Sequence, residues 1–243
     1  MAVSMNVRRS WMVLPAHKPD EVMRYQQYKP DIAVLDLEYS VPPKDKEITR
    51  KNLEKLVREV GKSQTEAFVR IDRDTRWADV RAAMYRGIKG IVFPGPEEPG
   101  EVAELGELIT AMEKERGVDP GITELVLILE SARGVWNAAS LTGASPRVTA
   151  LGVGRIDLTM RLGPLPQGEF RLYRFLMTRA LVAARMLAKQ PLGAFFRPGS
   201  RGGVASREDT VQAAKEARLM GFTGCFCAKP EQVAPVNEGF TLA

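Results

Sequence analysis

No stretch of this sequence stays apolar for the ~18 residues that a membrane-crossing helix needs, so no membrane partner is expected. The amino-terminal MAVSMNVRRSW carries arginines but no apolar core ending in a small-residue cleavage site. A secretory signal is therefore not expected, and a cytoplasmic protein is the default reading. Cysteine is scarce: Cys225 and Cys227, in GCFCAKP, are the only two. Residues two apart on a strand point the same way, yet same-strand geometry disfavours a disulfide. Two thiolates are too few for a structural zinc site, so both read as buried strand thiols. Histidine occurs once, at His17, and a lone loop histidine reads as structural or solvated. The net charge is only +5, with Lys and Arg scattered rather than striped and aromatics few. A nucleic-acid surface would carry a basic face or a recognition motif. Neither is present, and the mild positive bias suits a small anionic substrate.

What the 243 residues do contain is a repeated pattern: a short apolar, β-rich run, a turn, then a helical stretch. The runs are Trp11–Leu14, Ile32–Leu37, Ala67–Ile71, Gly90–Phe93, Leu125–Leu129, Val148–Val153, Gly193–Phe196 and Gly224–Cys227. Helices are expected from Pro19, from Pro42-Pro43 to about Val60, from about Trp77 to Arg86, and through Leu105, Leu108, Ile109 and Met112 at helical spacing. Further ones follow Gly134, reach about Lys189, run from Ser206 to Gly221, and open at Pro230. In the stretch that reaches Lys189, the residues Leu172, Phe175, Leu176, Ala180 and Ala183 form one apolar face. Ser206 with Asp209 makes an approximate capping box, and Gly221 is a stop. Eight strands alternating with helices imply a parallel sheet, and eight is the number that closes a (β/α)8 TIM barrel, here expected as one domain over residues 1–243. A doubly wound open sheet is the structural rival. Against it, no G-x-G-x-x-G follows the first strand.

Active sites of such barrels lie at the carboxyl ends of the strands, which directs attention to the polar residues there. Strand 2 ends in Asp36-Leu37-Glu38, strand 3 in Arg70 and then Asp72, strand 5 in Glu130, and strand 6 in Gly152-Val-Gly-Arg-Ile-Asp157. Two carboxylates at adjacent mouths, Glu130 and Asp157, would repel unless a cation lies between them. Mg2+ suits such a pair because it takes one or two carboxylates and keeps places for water and substrate oxygens. The bland alternative pairs Glu130 with Arg133 and makes Asp157 a helix cap. Arg70 is a forked donor able to bind a carboxylate or stabilise an enolate oxygen. Its bland alternative is an ion pair with Glu38, and the two are compatible. Asp36 shares the side of Glu38 and supports Arg70 or Lys46. Pro198-Gly-Ser-Arg-Gly-Gly203 reads as a flexible loop ahead of a phosphate contact.

These strand ends sit in segments that resemble the citrate lyase beta-subunit and malyl-CoA lyase family. Arg9-Ser-Trp-Met-Val-Leu-Pro15 resembles its opening, and Val34-Leu-Asp-Leu-Glu38 with Val41-Pro-Pro43 and Lys46 its second strand and loop. Val69-Arg70-Ile71 resembles its arginine strand. Leu127-Ile-Leu-Glu130-Ser-Ala-Arg-Gly134 and Leu151-Gly-Val-Gly-Arg-Ile-Asp157-Leu158 resemble the segments that carry its metal-ligand glutamate and aspartate. Pro230 to Glu238 resembles its last helix. The resemblance implies a Mg2+-dependent (or Mn2+-dependent) carbon–carbon lyase, acting on 3-hydroxyacyl thioesters such as citryl-, malyl- or citramalyl-CoA. In it Glu130 and Asp157 would be metal ligands, Arg70 and Glu38 catalytic, and Arg9 and Lys18, which flank the first strand, cofactor-binding. It also implies a homo-oligomer, a trimer. An aldolase acting on free 2-oxo acids, which in related proteins uses a histidine after strand 2, fits Glu38-Tyr39-Ser40 less well. A binding subunit without activity of its own is the third reading. This sequence departs from the family's pattern at Tyr39, where aspartate is usual, at Gly95, where lysine is common, and at Lys229, where histidine is usual. It ends at Ala243, where many relatives continue into a segment with an acid/base aspartate, so the proton-transfer group is unassigned.

Overall fold

The computed structural model describes residues 8–63, 65–196 and 205–241. Most of the amino-terminal segment read for a signal, and the whole loop Pro198 to Gly203, lie outside the described residues. Strands form where apolar, β-branched runs are short and bounded by turns: β1 (Ser10–Pro15), β2 (Ile32–Asp36), β3 (Glu66–Arg70), β4 (Ile88–Pro94), β5 (Glu124–Leu129), β6 (Val148–Val153), β7 (Gln190–Leu192) and β8 (Cys225–Cys227). Every β2 residue is buried, as expected of a parallel strand covered on both faces. The eight strands pair in the order β7-β6-β5-β4-β3-β2-β1-β8, all in parallel. The bridge Leu192–Gly224 and the bond from Gly193 N to Gly224 O at 2.8 Å join the two edges into a nearly closed barrel.

Around it lie α1 (Pro19–Met23), α2 (Lys46–Val60), α3 (Arg76–Ala83), α4 (Pro99–Arg116), α5 (Ala132–Trp136), α6 (Ala138–Gly143), α7 (Arg155–Leu162), α8 (Pro166–Met186), α9 (Arg207–Met220) and α10 (Val233–Phe240). None is long and apolar enough to cross a membrane. The α9 boundaries follow the sequence signals. Ser206 accepts the Asp209 N–H, and Gly221 closes the helix in the left-handed region. Cys225 and Cys227 are buried free thiols.

Alternation along the strands divides the core in two. Trp11, Ile32, Val34, Phe68, Val126 and Ile128 fill the barrel interior, while Leu35, Val69, Phe93, Leu125 and Leu127 pack outward against helices. Three expectations shift. The run Gly193–Phe196 is not β7. Gln190–Leu192 carries the ladder to β6, and Phe195 is apolar because it packs edge-on against Phe222, with centroids 5.6 Å apart. The helical stretch reaching Lys189 is two helices, because Gly163 adopts φ 56° and Pro164 and Pro166 follow. Phe175 is exposed rather than on the buried face of α8, and it lines an apolar groove with Trp136, Val182 and Met186.

Candidate active site

The interior register extends past the strand ends. Ile32 and Val34 point inward, so Asp36 and Glu38 follow; Phe68 leads to Arg70; Val126 and Ile128 lead to Glu130. Asp36 and Arg70 are register partners of neighbouring strands. The Arg70 Nε donates to Asp36 Oδ1 at 2.7 Å and stands 3.4 Å from Glu38 Oε2. Both partners proposed from sequence therefore hold one guanidinium. Lys46 pairs with Asp72 instead.

Asp36 also orders the turn that follows. Its carboxylate accepts the N–H of Glu38 and of Ser40, both at 2.9 Å, and the Ser40 hydroxyl at 2.6 Å. Burial alone would raise its pKa, but the Arg70 guanidinium and these donors hold it below the usual carboxylate range. Glu38 receives far less. Its Oε2 is buried without a hydrogen-bond partner. Burial pushes its carboxyl up to about 8, opposed by Arg70 and reinforced by Glu130, Asp36 and Asp157.

Glu130 emerges directly from β5, and Gly154 N donates to Leu129 O at 2.8 Å, which brings the end of β6 beside it. A Cβ on Gly154 would stand 2.5 Å from Glu130 Cγ and 2.9 Å from its Oε1. The second glycine of Gly152-Val-Gly154 is thus the floor on which the Glu130 carboxylate lies. Gly95, at φ +59°, forms the opposite wall, with Glu130 Oε2 and Arg73 Nη1 at 3.3 and 3.4 Å from where its Cβ would be. Burial pushes Glu130 up to about 7. Asp157 adds to the shift, while Arg70, Arg161 and Arg73 oppose it.

The bland alternatives for these two acids do not hold. Arg133 pairs with Glu98, and Asp157, in the first turn of α7, makes no capping bond. Asp157 accepts the Tyr39 hydroxyl instead. A cavity of about 500 Å³ opens beside them, lined by Glu38, Tyr39, Arg73, Gly95, Glu130 and Arg161 among others.

Among the described residues no three His, Cys, Asp or Glu side chains converge as a complete metal cage. That excludes a four-ligand structural zinc site there. It fits Mg2+, which needs only one or two carboxylates and fills its shell with water and substrate oxygens. Two hard oxygen donors, an orphaned buried carboxylate oxygen and two carboxyls pushed upward together describe a mouth short of positive charge.

Arg9 does not join this cluster. It precedes β1, and parallel strands all begin at the end opposite the mouth. There its N–H and Nε bind Asp31 Oδ2 at 2.7 and 2.9 Å, and its Nη1 binds Thr241. Lys18 follows β1 and lies on the mouth side, where its ammonium pairs with Glu21 at 2.9 Å on the surface. Sequence reasoning had no role for Arg73, in the loop after β3, or Arg161, in the last turn of α7, whose charges act on Glu130. It noted Tyr39 only as a departure, although its place next to Glu38 was a usable signal.

The profile of the HpcH/HpaI aldolase/citrate lyase family matches residues 9–230. The chain is 29% identical over 237 residues to the citrate lyase subunit beta of Leuconostoc mesenteroides subsp. cremoris, covering 96% of this chain and 76% of that protein. It is 28% identical over 245 residues to the L-malyl-CoA/beta-methylmalyl-CoA lyase of Rhodobacter capsulatus, covering 93% and 77%. The citrate lyase beta subunit of M. tuberculosis complexed with oxaloacetate and magnesium superposes with a TM-score of 0.75 at 22% identity, covering 98% of this chain and all of that one (100%). At that identity the superposition speaks for the barrel alone.

Proposed function

The chain belongs to the HpcH/HpaI aldolase/citrate lyase family, whose named relatives are carbon–carbon lyases, and we propose that it is a Mg2+-dependent lyase that cleaves or forms a 3-hydroxyacyl thioester. The observation that carries this reading is the mouth itself: Glu130 and Asp157 beside a half-buried Arg70, with too little positive charge for the carboxylates present. Glu130 and Asp157 would hold the ion, with Mn2+ able to replace Mg2+. Bound there, the ion supplies Lewis acidity toward the carboxylate and carbonyl oxygens of a 2-oxo acid.

The remaining work falls to the chain's own side chains. Asp36 fixes Arg70 through Nε, which leaves the terminal nitrogens as donors for an oxygen on which charge develops. Such a donor, set in advance, stabilises the transition state more than the ground state. Glu38 braces the same guanidinium from a second side. Lys18, on the mouth side, is the proposed contact for the anionic carrier of the thioester. In the cleaving direction the C3 hydroxyl gives up its proton as it becomes a carbonyl, the C2–C3 bond breaks, and the products are a 2-oxo acid and a thioester enolate that takes up a proton at C2.

The test is cleavage of malyl-, citramalyl- and citryl-CoA with Mg2+ by the wild type and by Arg70→Lys. Wild-type turnover on at least one thioester is expected. The variant should lose ~10²–10³ in kcat while remaining folded, because an ammonium cannot reproduce the fork. Near-wild-type turnover by Arg70→Lys would remove the arginine's role. Cleavage of free 2-oxo-acid adducts but of no thioester would replace this reading with the aldolase one.

A further inference from the structure

We propose that Tyr39 is a positioning residue of the ion site, its hydroxyl fixing Asp157 while its ring lies against Arg70. The inference rests on the reading of Glu130 and Asp157 as the ion-holding pair. Among the described residues, the Tyr39 hydroxyl is the one hydrogen-bond partner of the Asp157 carboxylate. Asp157 lies in the first turn of α7, where no side-chain capping bond is made, and among the described residues it has no ion pair. The Tyr39 ring centroid is 5.4 Å from Arg70 Cζ, within reach of a cation–π contact. One side chain therefore touches both halves of the site.

Tyr39 can do this although the residue is 63% exposed, because its backbone is pinned on both sides. The N–H groups before and after it in the chain, those of Glu38 and Ser40, both donate to Asp36. Asp36 is in turn held by Arg70. The connections close a ring from Arg70 through Asp36, the turn and Tyr39, back to Arg70, and Asp157 hangs from that ring. By donating to Oδ1, the phenol leaves Oδ2 of Asp157 for a cation. Partners of this kind, which orient a ligand without touching the ion, are typically worth ~10–100-fold in metal affinity.

Tyr39→Phe isolates the hydroxyl, because it keeps the ring against Arg70 and disturbs no core packing. The probe is Mn2+, titrated by calorimetry and by electron paramagnetic resonance into the wild type, Tyr39→Phe and Glu130→Gln. Metal-free thermal unfolding is read in parallel. The expected result is a Tyr39→Phe variant that melts like the wild type and binds Mn2+ at least ~10-fold more weakly. Unchanged affinity overturns the positioning role, even with a lowered metal-free Tm, since a contact that served only the fold would shift the melt and leave the ion alone. Tighter binding overturns it as well, for it would mean that the hydroxyl competes with the cation. No Mn2+ binding by the wild type, or equal binding by Glu130→Gln, would instead overturn the ion site itself and the inference with it.

Discussion

Alanine at position 154 tests the site through a single methyl group. Gly154 has φ −80° and ψ 94°, which alanine adopts without strain, so any effect must come from contact. The new Cβ would lie 2.5 Å from Glu130 Cγ, 2.9 Å from Oε1 and 3.2 Å from Cδ. Carbon pairs settle at ~3.5–4.0 Å, so Cγ must retreat by about 1 Å. It can do so only by rotating about Cα–Cβ, which carries the carboxylate with it. Metal sites tolerate ligand errors of only about 0.2 Å, and misplacing a catalytic group by ~1 Å can cost ~10² in rate. The overpacking itself should cost about 1–3 kcal/mol. Gly154→Ala should therefore remain folded at 25 °C, lose at least ~10-fold in Mn2+ affinity by calorimetry, and resemble Glu130→Gln, which removes the charge without changing the shape. Gly100→Ala is the control: it lies in α4 with nothing within 4 Å of the added Cβ, and should gain about 0.4–1 kcal/mol. A Gly154→Ala protein that binds Mn2+ as the wild type does would refute the assignment of Glu130.

Two further outcomes follow from the same geometry. Glu38 and Glu130 have native pKa values raised to about 8 and about 7 from an ordinary 4.5, so without metal the native state binds protons that the unfolded chain gives up. That stability is complete below about pH 4.5 and is lost as pH rises through 7 to 8. The groups facing these carboxyls are Arg70, Glu130, Asp36 and Asp157 for Glu38, and Asp157, Arg70, Arg161 and Arg73 for Glu130. Mg2+ favours the ionised forms, so its increase in Tm should be larger at pH 8 than at pH 6, and an equal increase would count against metal at these carboxylates. A homo-oligomer is also expected, with the exposed Trp136, Phe175, Val182 and Met186 groove as the covered face. Light scattering should return a trimer for the wild type and a smaller species for Phe175→Asp, and a monomeric wild type would end that idea.

How much of this was legible beforehand depends on whether a contact obeys strand periodicity. Asp36, Glu38, Arg70 and Glu130 share the inward register of Ile32, Val34, Phe68 and Ile128, so a reader who places the strands also places those four side chains. Arg9 is different: it stands before β1, at the foot of the barrel, so strand direction sets it apart from those four and beside Asp31. Contacts made from loops were not legible. Tyr39 meets Asp157 across 118 positions of sequence, and Arg73 comes from the loop after β3 to stand 3.4 Å from where a Cβ on Gly95 would be. Periodicity also misled at β7, where the apolar run Gly193–Phe196 serves the outer core rather than the ladder. A buried strand and a buried irregular segment have the same composition, and only the pairing distinguishes them.

The barrel interior offers an internal standard for deciding which charged cluster is structure and which is site. At its foot Arg8 binds Glu66 at 2.5 Å and Glu124 at 2.6 Å, with Lys89 3.4 Å from Glu124. Thr149 donates to Glu124 as well, at 2.7 Å. Above it, Trp11 packs against Phe68 and Phe226 at 4.9 and 5.7 Å, separating the foot from the mouth with an apolar layer. Burial opposes ionisation of Glu124 as it does at the mouth, yet its pKa is lowered, because Arg8, Thr149 and Lys89 more than answer the carboxylate. Glu130, buried, and Glu38, half-buried, on the same inward register of the same barrel, are raised instead. Desolvation is common to both ends, so what differs is the supply of partners. A finished ionic plug holds its acids ionised, whereas the mouth holds acids that a further cation would ionise. The asymmetry supports the proposal that the ion and its chemistry belong at the carboxyl ends of the strands.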